Sequence, residues 1–390
     1  MTGVCIIGWA HSPFGRLNGL DVEGLIGRVA RPAIADAQIH PKEIDAVFVG
    51  HFNSGFSKQN FPSSLPAQSV AELRFKPAAR FENACASGSA AVFAAIDYIR
   101  SGRGRTALVI GVEKMTDATA KDVGTNLLGA SYLREEGHIH AGFAGVFGVI
   151  AQRYFERYGD QSDALAAIAA KNHRNGVDNP LAQIRKDLGF TFCRTESDGN
   201  PFIARPLKRT DCSPISDGAA ALVLANRDVA DALPKAVHFR GIGHANDFMP
   251  MSSRDMTRFE GGEQAWNVAL RASCLTLDDL SFVETHDCFT VAELIEYEAM
   301  GLTSPGEGAR AILDGWTAMD GRLPVNRSGG LKAKGHPVGA TGVSMLAMAA
   351  MQLTGQAGAM QLKNATFGGV FNMGGSGVAN YTSILECDQR

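Results

Sequence analysis

"FENACASGSAAVFAAIDYIRSG", residues 81–102, runs from an extended approach through a cysteine into small and apolar residues that end at Ser101 and Gly102. A glycine closing an apolar run is a helix stop, so the stretch predicts a strand, a turn carrying Cys85 and then a helix. The pattern returns near the other end of the chain. "VGATGVSMLAMAAMQLTG", residues 338–355, is a second small-residue helix closed by Thr354 and Gly355. A further echo joins "PKEIDAVFVG" at 41–50 to "LDDLSFVETH" at 277–286, each leading from acidic residues into an apolar strand that ends at a polar or glycine-rich loop. Strand-like runs alternate with helical ones at both ends, "VCIIGWA" and "TALVIGVE" early and "GGVFNMGG" late. The sequence therefore reads as an α/β protein of two similar halves.

Between the echoes lies a segment of different character, about 115–235, richer in charge and loops. Its "AGVFGVIAQRYFERYG" repeats Val146, Ile150 and Tyr154 at helical spacing, and "DALAAIAAKNHRNG" is another helix ending at Gly176. It reads as an insertion over the first half. The expected division is an N-terminal half, 1–250, that includes the insertion, and a C-terminal half, 251–390.

Composition removes several classes of function. With 390 residues, 45% hydrophobic and 20% charged, the chain can bury a large core. A net charge of −3 without any basic run interleaved with aromatics argues against nucleic acid as a partner. "MTGVCIIGWAHSPFGR" has no basic leader and reads as a first strand, and no apolar run approaches the ~20 residues of a membrane span. The last residues, "ECDQR", are not a peroxisomal address, so the expected location is cytoplasmic. Seven cysteines, odd in number and without a C-x-x-C pair, suggest neither a disulfide framework nor a structural zinc site.

Four stretches carry chemistry. Cys85, at a helix start, faces free N–H groups and the positive end of the dipole, which favour a thiolate nucleophile; a buried structural cysteine is the competing reading. "THDC" at 285–288 sets His286, Asp287 and Cys288 just beyond an apolar strand, where α/β proteins place active groups, although three adjacent residues cannot all converge on one metal ion. "SGGLKAKGHPVGATG" at 328–342 superficially resembles a phosphate loop, but His336 and Pro337 stand where such a loop needs Lys and then Ser or Thr. A histidine held among glycines reads as a base, or as a loop histidine of no consequence. "GGVFNMGGSGVAN" at 368–380 is too close to the end for a dinucleotide-binding βαβ unit and offers backbone N–H groups instead.

Taken together, "CASG" at 85–88, "SPISDGAAALVL" at 213–224, "HDCF" at 286–289, "GGLKAKGHPVGATG" at 329–342 and "NMGGSGVA" near the end resemble the thiolase superfamily over essentially the whole chain. "HDCF" is similar to the sterol-carrier-protein-2 branch and its bacterial and archaeal relatives. One departure stands out: Asn372 occupies the place where most thiolases have the cysteine of a Cys-x-Gly motif, and Cys288 offers a replacement.

The resemblance implies a thiolase fold, two βαβαβαββ halves in a five-layered αβαβα arrangement with a loop domain inserted in the first. It implies a coenzyme A thioester as substrate, no permanently bound cofactor and no metal. Cys85 would take the acyl group, His336 would remove its proton, and Cys288 would act at the substrate α-carbon. His286 with His336 would form one oxyanion hole, and the backbone N–H groups of Cys85 and Gly374 the other. Ser213 and His140 would lie near the pantetheine arm and Phe289 against the acyl pocket, whereas His173 would only anchor its helix. The resemblance further implies a homodimer or tetramer and a small OB-fold partner of the kind some relatives use. Competing readings are a decarboxylating ketoacyl synthase, which would lack the second cysteine, a divergent lyase, and an acyl-CoA-binding protein without turnover.

Overall fold

Strand β1 (Val4–His11) sends Val4 and Ile6 into one apolar cluster and Cys5 and Ile7 into another. A strand of period two does this when both of its faces are covered. The computed structural model describes residues 2–387. Its further strands are β2 (Ala46–Gly50), β3 (Ala78–Phe81), β4 (Thr106–Glu113), the small hairpin β5 (Phe202–Ala204) and β6 (Leu207–Lys208), β7 (Gly218–Asn226), β8 (Val237–Asn246), β9 (Phe282–Glu284), β10 (Phe367–Gly374) and β11 (Ala379–Cys387).

Apart from the hairpin, these strands run in the order β3-β2-β4-β7-β1-β8-β11-β10-β9. The centre of that order is a short seam, where among the described residues β1 pairs with β8 at Cys5–His238 and Ile6–Val237. Outward from the seam, one side reads β1-β7-β4-β2-β3 and the other β8-β11-β10-β9, continued by a bridge from Val283 to Val325. By position in each half the two orders are the same: first, fifth, fourth, second, third. The echo in the sequence is a duplication of topology.

Eight helices frame the site: α1 (Val22–Asp36), α2 (Ser87–Arg100), α3 (Phe143–Tyr158), α4 (Ser162–Val177), α5 (Glu260–Ser273), α6 (Thr290–Ala299), α7 (Gly330–Lys334) and α8 (Thr341–Leu353). α1 covers β1, β4 and β7 from outside, and α5 covers β8 and β11. α2 and α8 pack on each other between the two half-sheets, which gives five layers, α-β-α-β-α. Their small residues have a steric cause. A Cβ on Gly88 would sit 2.9 Å from the Gly339 carbonyl oxygen and 3.0 Å from the Val343 nitrogen, closer than packed atoms approach.

Two boundaries differ from the sequence reading. β7 falls inside the 115–235 segment, yet it is a central strand paired with β1 and β4. The inserted region is therefore residues 114–217. Its two ends are clamped together by Asp217, whose carboxylate accepts from Lys114 Nζ at 2.7 Å and from the Met115 and Thr116 nitrogens at 2.8 Å. β8 pairs with β11, so the second half begins by residue 237 rather than at 251. "GAAALVLAN" lacks alternation because both of its faces are buried, which hides a strand. Among the described residues no helix is long and apolar enough to cross a membrane.

Candidate active site

Cys85 sits in the turn between β3 and α2, and the turn is strained: Ala84 has φ +49°, in the left-handed region. Ser87 holds it, donating from Oγ to the Ala84 carbonyl at 2.6 Å and accepting from the Asn83 nitrogen at 2.9 Å. The thiol that this turn presents is buried. Burial pushes its pKa up to about 12, and the Glu113 carboxylate adds to the rise, while the backbone N–H groups of Cys85 and Gly375 offset part of it. Desolvation thus outweighs the helix terminus, and the group is a thiol that needs a base.

Two histidines supply the surroundings. Cys85 Sγ and one ring nitrogen each of His286 and His336 lie within 4.8 Å of one another, and the two rings meet edge to face at 5.1 Å. His336 follows α7 on a turn that needs glycine, since Gly335 has φ +116° and a Cβ there would lie 2.9 Å from Ser216 Oγ. Its Nδ1 is 2.7 Å from Thr341 Oγ1, and that hydroxyl donates to the Pro337 carbonyl at 3.0 Å. Thr341 can then only accept from His336, so the proton is on Nδ1 and the lone pair on Nε2. Burial, with Lys334 nearby, lowers the pKa of His336 to about 3, which keeps it neutral.

His286 and Cys288 flank Asp287 in the loop between β9 and α6. Both belong to the active cluster, and Asp287 faces away. The Asp287 carboxylate caps α7, accepting from the Leu331 nitrogen at 2.6 Å and the Lys332 nitrogen at 3.1 Å, and it also takes Asn172 Nδ2 at 2.7 Å. It ties the His286 loop to the His336 loop and leaves no third ligand for a metal in "HDC". Cys288 is buried, and its pKa is raised well above the usual thiol range, first by burial and next by Cys85. Its carbonyl accepts from the Ser213 nitrogen at 2.9 Å.

Cys85, Cys288 and His336 line a cavity of about 800 Å³, with His286 beside them. Met115, Val123, Leu127 and Phe143 line it with apolar surface. Phe289 lines it as well, stacked on Phe147 with ring centroids 4.4 Å apart. Ser213 is a lining residue too. A neutral thiol, a neutral imidazole with a free lone pair, a second thiol and a long apolar cavity suit acyl transfer to sulfur.

Comparison with known proteins agrees with that chemistry. "Thiolase, N-terminal domain" matches residues 4–228, and "Thiolase C-terminal domain-like" matches 243–387. The chain belongs to the thiolase family. Its function is that of a thiolase-type acyltransferase. An acetyl-CoA acetyltransferase of Methanothermobacter thermautotrophicus is 36% identical over 97% of both chains. Sterol carrier protein 2 of Homo sapiens is 30% identical over 97% of this chain and 71% of its own length. The structure of an Ltp2–ChsH2(DUF35) aldolase superposes with a TM-score of 0.85 at 21% identity, covering all of this chain and 99% of the other, a likeness of fold.

Several residues of this thiolase stand elsewhere than the sequence suggested. His140 is exposed and is not among the residues lining the cavity; Ala141, also exposed and with φ +66°, lines it instead. The N–H group that reaches the Cys85 sulfur besides its own is that of Gly375, whereas Gly374 ends β10 opposite Ala379. His173, expected only to anchor its helix, is buried and lines the cavity, its pKa lowered to about 3 by burial and Lys332. Lys332 lines the cavity too, and burial lowers its pKa. The sequence signal for Lys332 was a lysine within an otherwise glycine-rich and apolar run. For Asn372, which contacts both the Cys85 turn and His286, the signal was its departure from the Cys-x-Gly pattern.

Proposed function

We propose that this thiolase makes or cleaves a 3-ketoacyl-CoA through an acyl thioester on Cys85. The observation that carries the reading is the close grouping of Cys85, His286 and His336, of which Cys85 and His336 line an apolar cavity together with Cys288. In the cleaving direction His336 Nε2 takes the Cys85 proton and the sulfur attacks the 3-keto carbon. The N–H groups of Cys85 and Gly375 hold the oxyanion. The bond between C2 and C3 breaks, leaving acyl-Cys85 and the enolate of acetyl-CoA. His286 and protonated His336 face the enolate oxygen, and the Cys288 thiol gives its proton to C2. Free coenzyme A then returns a proton to Cys288 and attacks the thioester, and Cys85 recovers its own proton from His336. Both cysteines start as thiols, which their raised pKa values favour.

Brief incubation with acetyl-CoA tests this reading. The expected result is an acetyl mass on the peptide containing Cys85, with release of coenzyme A. An unmodified Cys85 alongside continued turnover would overturn it. The retained pair of thiols speaks against a divergent lyase or a protein that only binds acyl-CoA.

The reading extends to a cytoplasmic homodimer. Its support is β3, an exposed strand at one edge of the sheet, with unpaired backbone groups open to a second copy. Sedimentation equilibrium should give twice the chain mass, and a fully active monomer would contradict it. A small OB-fold partner is part of the same proposal, supported by the pairing of Ltp2 with ChsH2(DUF35) in that protein.

A further inference from the structure

Asn372 takes no part in the steps above, yet it is fully buried and touches both the nucleophile's turn and a site histidine. Its amide has one tenable orientation. Nδ2 lies 3.3 Å from the Cys85 carbonyl oxygen, which can only accept, and Oδ1 lies 2.7 Å from the Ser89 hydroxyl, which can donate. A flipped amide would set two carbonyl oxygens against each other.

With that orientation fixed, the contact of Asn372 Nδ2 with His286 Nδ1 at 2.8 Å is a hydrogen bond donated to the ring. His286 Nδ1 therefore carries the lone pair. Burial keeps the ring neutral, so its proton is on Nε2. That Nε2 is buried and has no hydrogen-bond partner among the described residues. A buried N–H left unpaired costs about 1–3 kcal/mol, which a ligand oxygen in the cavity would recover.

The same arrangement bears on metals. Cys85, His286 and His336 are close enough together for one ion, and a thiolate with two imidazoles is a good zinc set. Coordination through His286 Nε2 would need the lone pair there and the proton on Nδ1, facing the N–H of Asn372. Metal-bound histidines normally give that second N–H to an acceptor, often a carboxylate. Asn372 offers a donor.

We propose that Asn372 is a positioning residue that holds His286 in the Nε2–H tautomer, making it a donor to a substrate oxygen and denying the Cys85–His286–His336 cluster to zinc. The kinetic part rests on the proposed function; the tautomer and metal parts do not. Replacing Asn372 with Asp reverses the contact, because a carboxylate accepts from Nδ1–H and moves the lone pair to Nε2.

The test uses the full-length wild type, Asn372→Asp, and Asn372→Asp combined with His286→Ala, each titrated with cobalt(II) and read for thiolate-to-cobalt absorption. Asn372→Asp should bind one equivalent, displaced by zinc, with release of the Cys85 proton. The wild type and the double variant should show no such band. In acetyl-CoA assays Asn372→Asp should exchange α-protons with deuterated water at least about tenfold more slowly than wild type. Should Asn372→Asp not fold, wild type labelled with ¹⁵N-histidine and assigned against His286→Gln gives the tautomer directly, with the proton expected on Nε2. A proton on Nδ1 of His286, or a wild type that binds cobalt as tightly as Asn372→Asp, would overturn the proposal. Loss of acyl-Cys85 formation in wild type with the tautomer as expected would fault the proposed function alone.

Discussion

His336 and His286 face the same sulfur from two loops of one half of the molecule, and their neighbours give them opposite protonation. Thr341 accepts from one ring and Asn372 donates to the other, so His336 offers a lone pair to the site and His286 a proton. Both rings are neutral because burial holds their pKa values down. Two identical residue types thus take different tasks: His336 suits a base, and His286 suits a donor to developing negative charge. Residue identity alone does not assign the role; the group on the far side of each ring does.

The largest effect that would break this contrast is on the base. His336→Ala should slow acylation of Cys85 by about 10²–10⁴-fold, measured by quenched-flow mass analysis of the Cys85 peptide. An unchanged rate would remove His336 from the role. Next comes the donor: His286→Ala should lower exchange of the acetyl-CoA α-protons by about 10²–10³-fold, followed by deuterium uptake, while leaving acylation far less affected. Equal loss in both steps would erase the difference between the rings.

A pH profile sharpens the same comparison. Protonation of His336 would remove the base, but its pKa is lowered from 6.5 to about 3. Acylation by acetyl-CoA should therefore stay flat as pH falls from about 7 to about 5. An acid limb centred near 6.5 would show that the ring is solvated like a free histidine. The smallest effect is expected from Thr341→Val, which removes the acceptor at His336 Nδ1 while keeping the side-chain shape. It should slow acylation about tenfold and spare α-proton exchange by comparison.

Much of this was legible in the sequence, for physical reasons. The duplication showed because the strands "AVFVG" and "FVE" and the small-residue helices α2 and α8 answer to the same local packing in each half. Cys85, Cys288 and His336 showed because reactive side chains at element junctions stand out from apolar surroundings. The role of Asn372 was hidden, since it depends on Ser89, 283 residues away, and on His286, 86 residues away. The thiol's high pKa was equally hidden, because burial and Glu113 act across the fold while a helix start can be read locally. That the N–H of Gly375 reaches the Cys85 sulfur is a matter of one residue at the end of β10, finer than a sequence pattern resolves. That Ala141 rather than His140 lines the cavity was hidden too, because Ala141 and Gly142, both with positive φ, turn the chain just before α3.

The division of labour between the two histidines is tested most directly by a single turnover with acetyl-CoA, reading release of coenzyme A as Cys85 is acylated, in His336→Ala and His286→Ala side by side. Release should nearly stop in His336→Ala and stay close to the wild-type rate in His286→Ala. Release that survives in His336→Ala, or that fails equally in both variants, would contradict it.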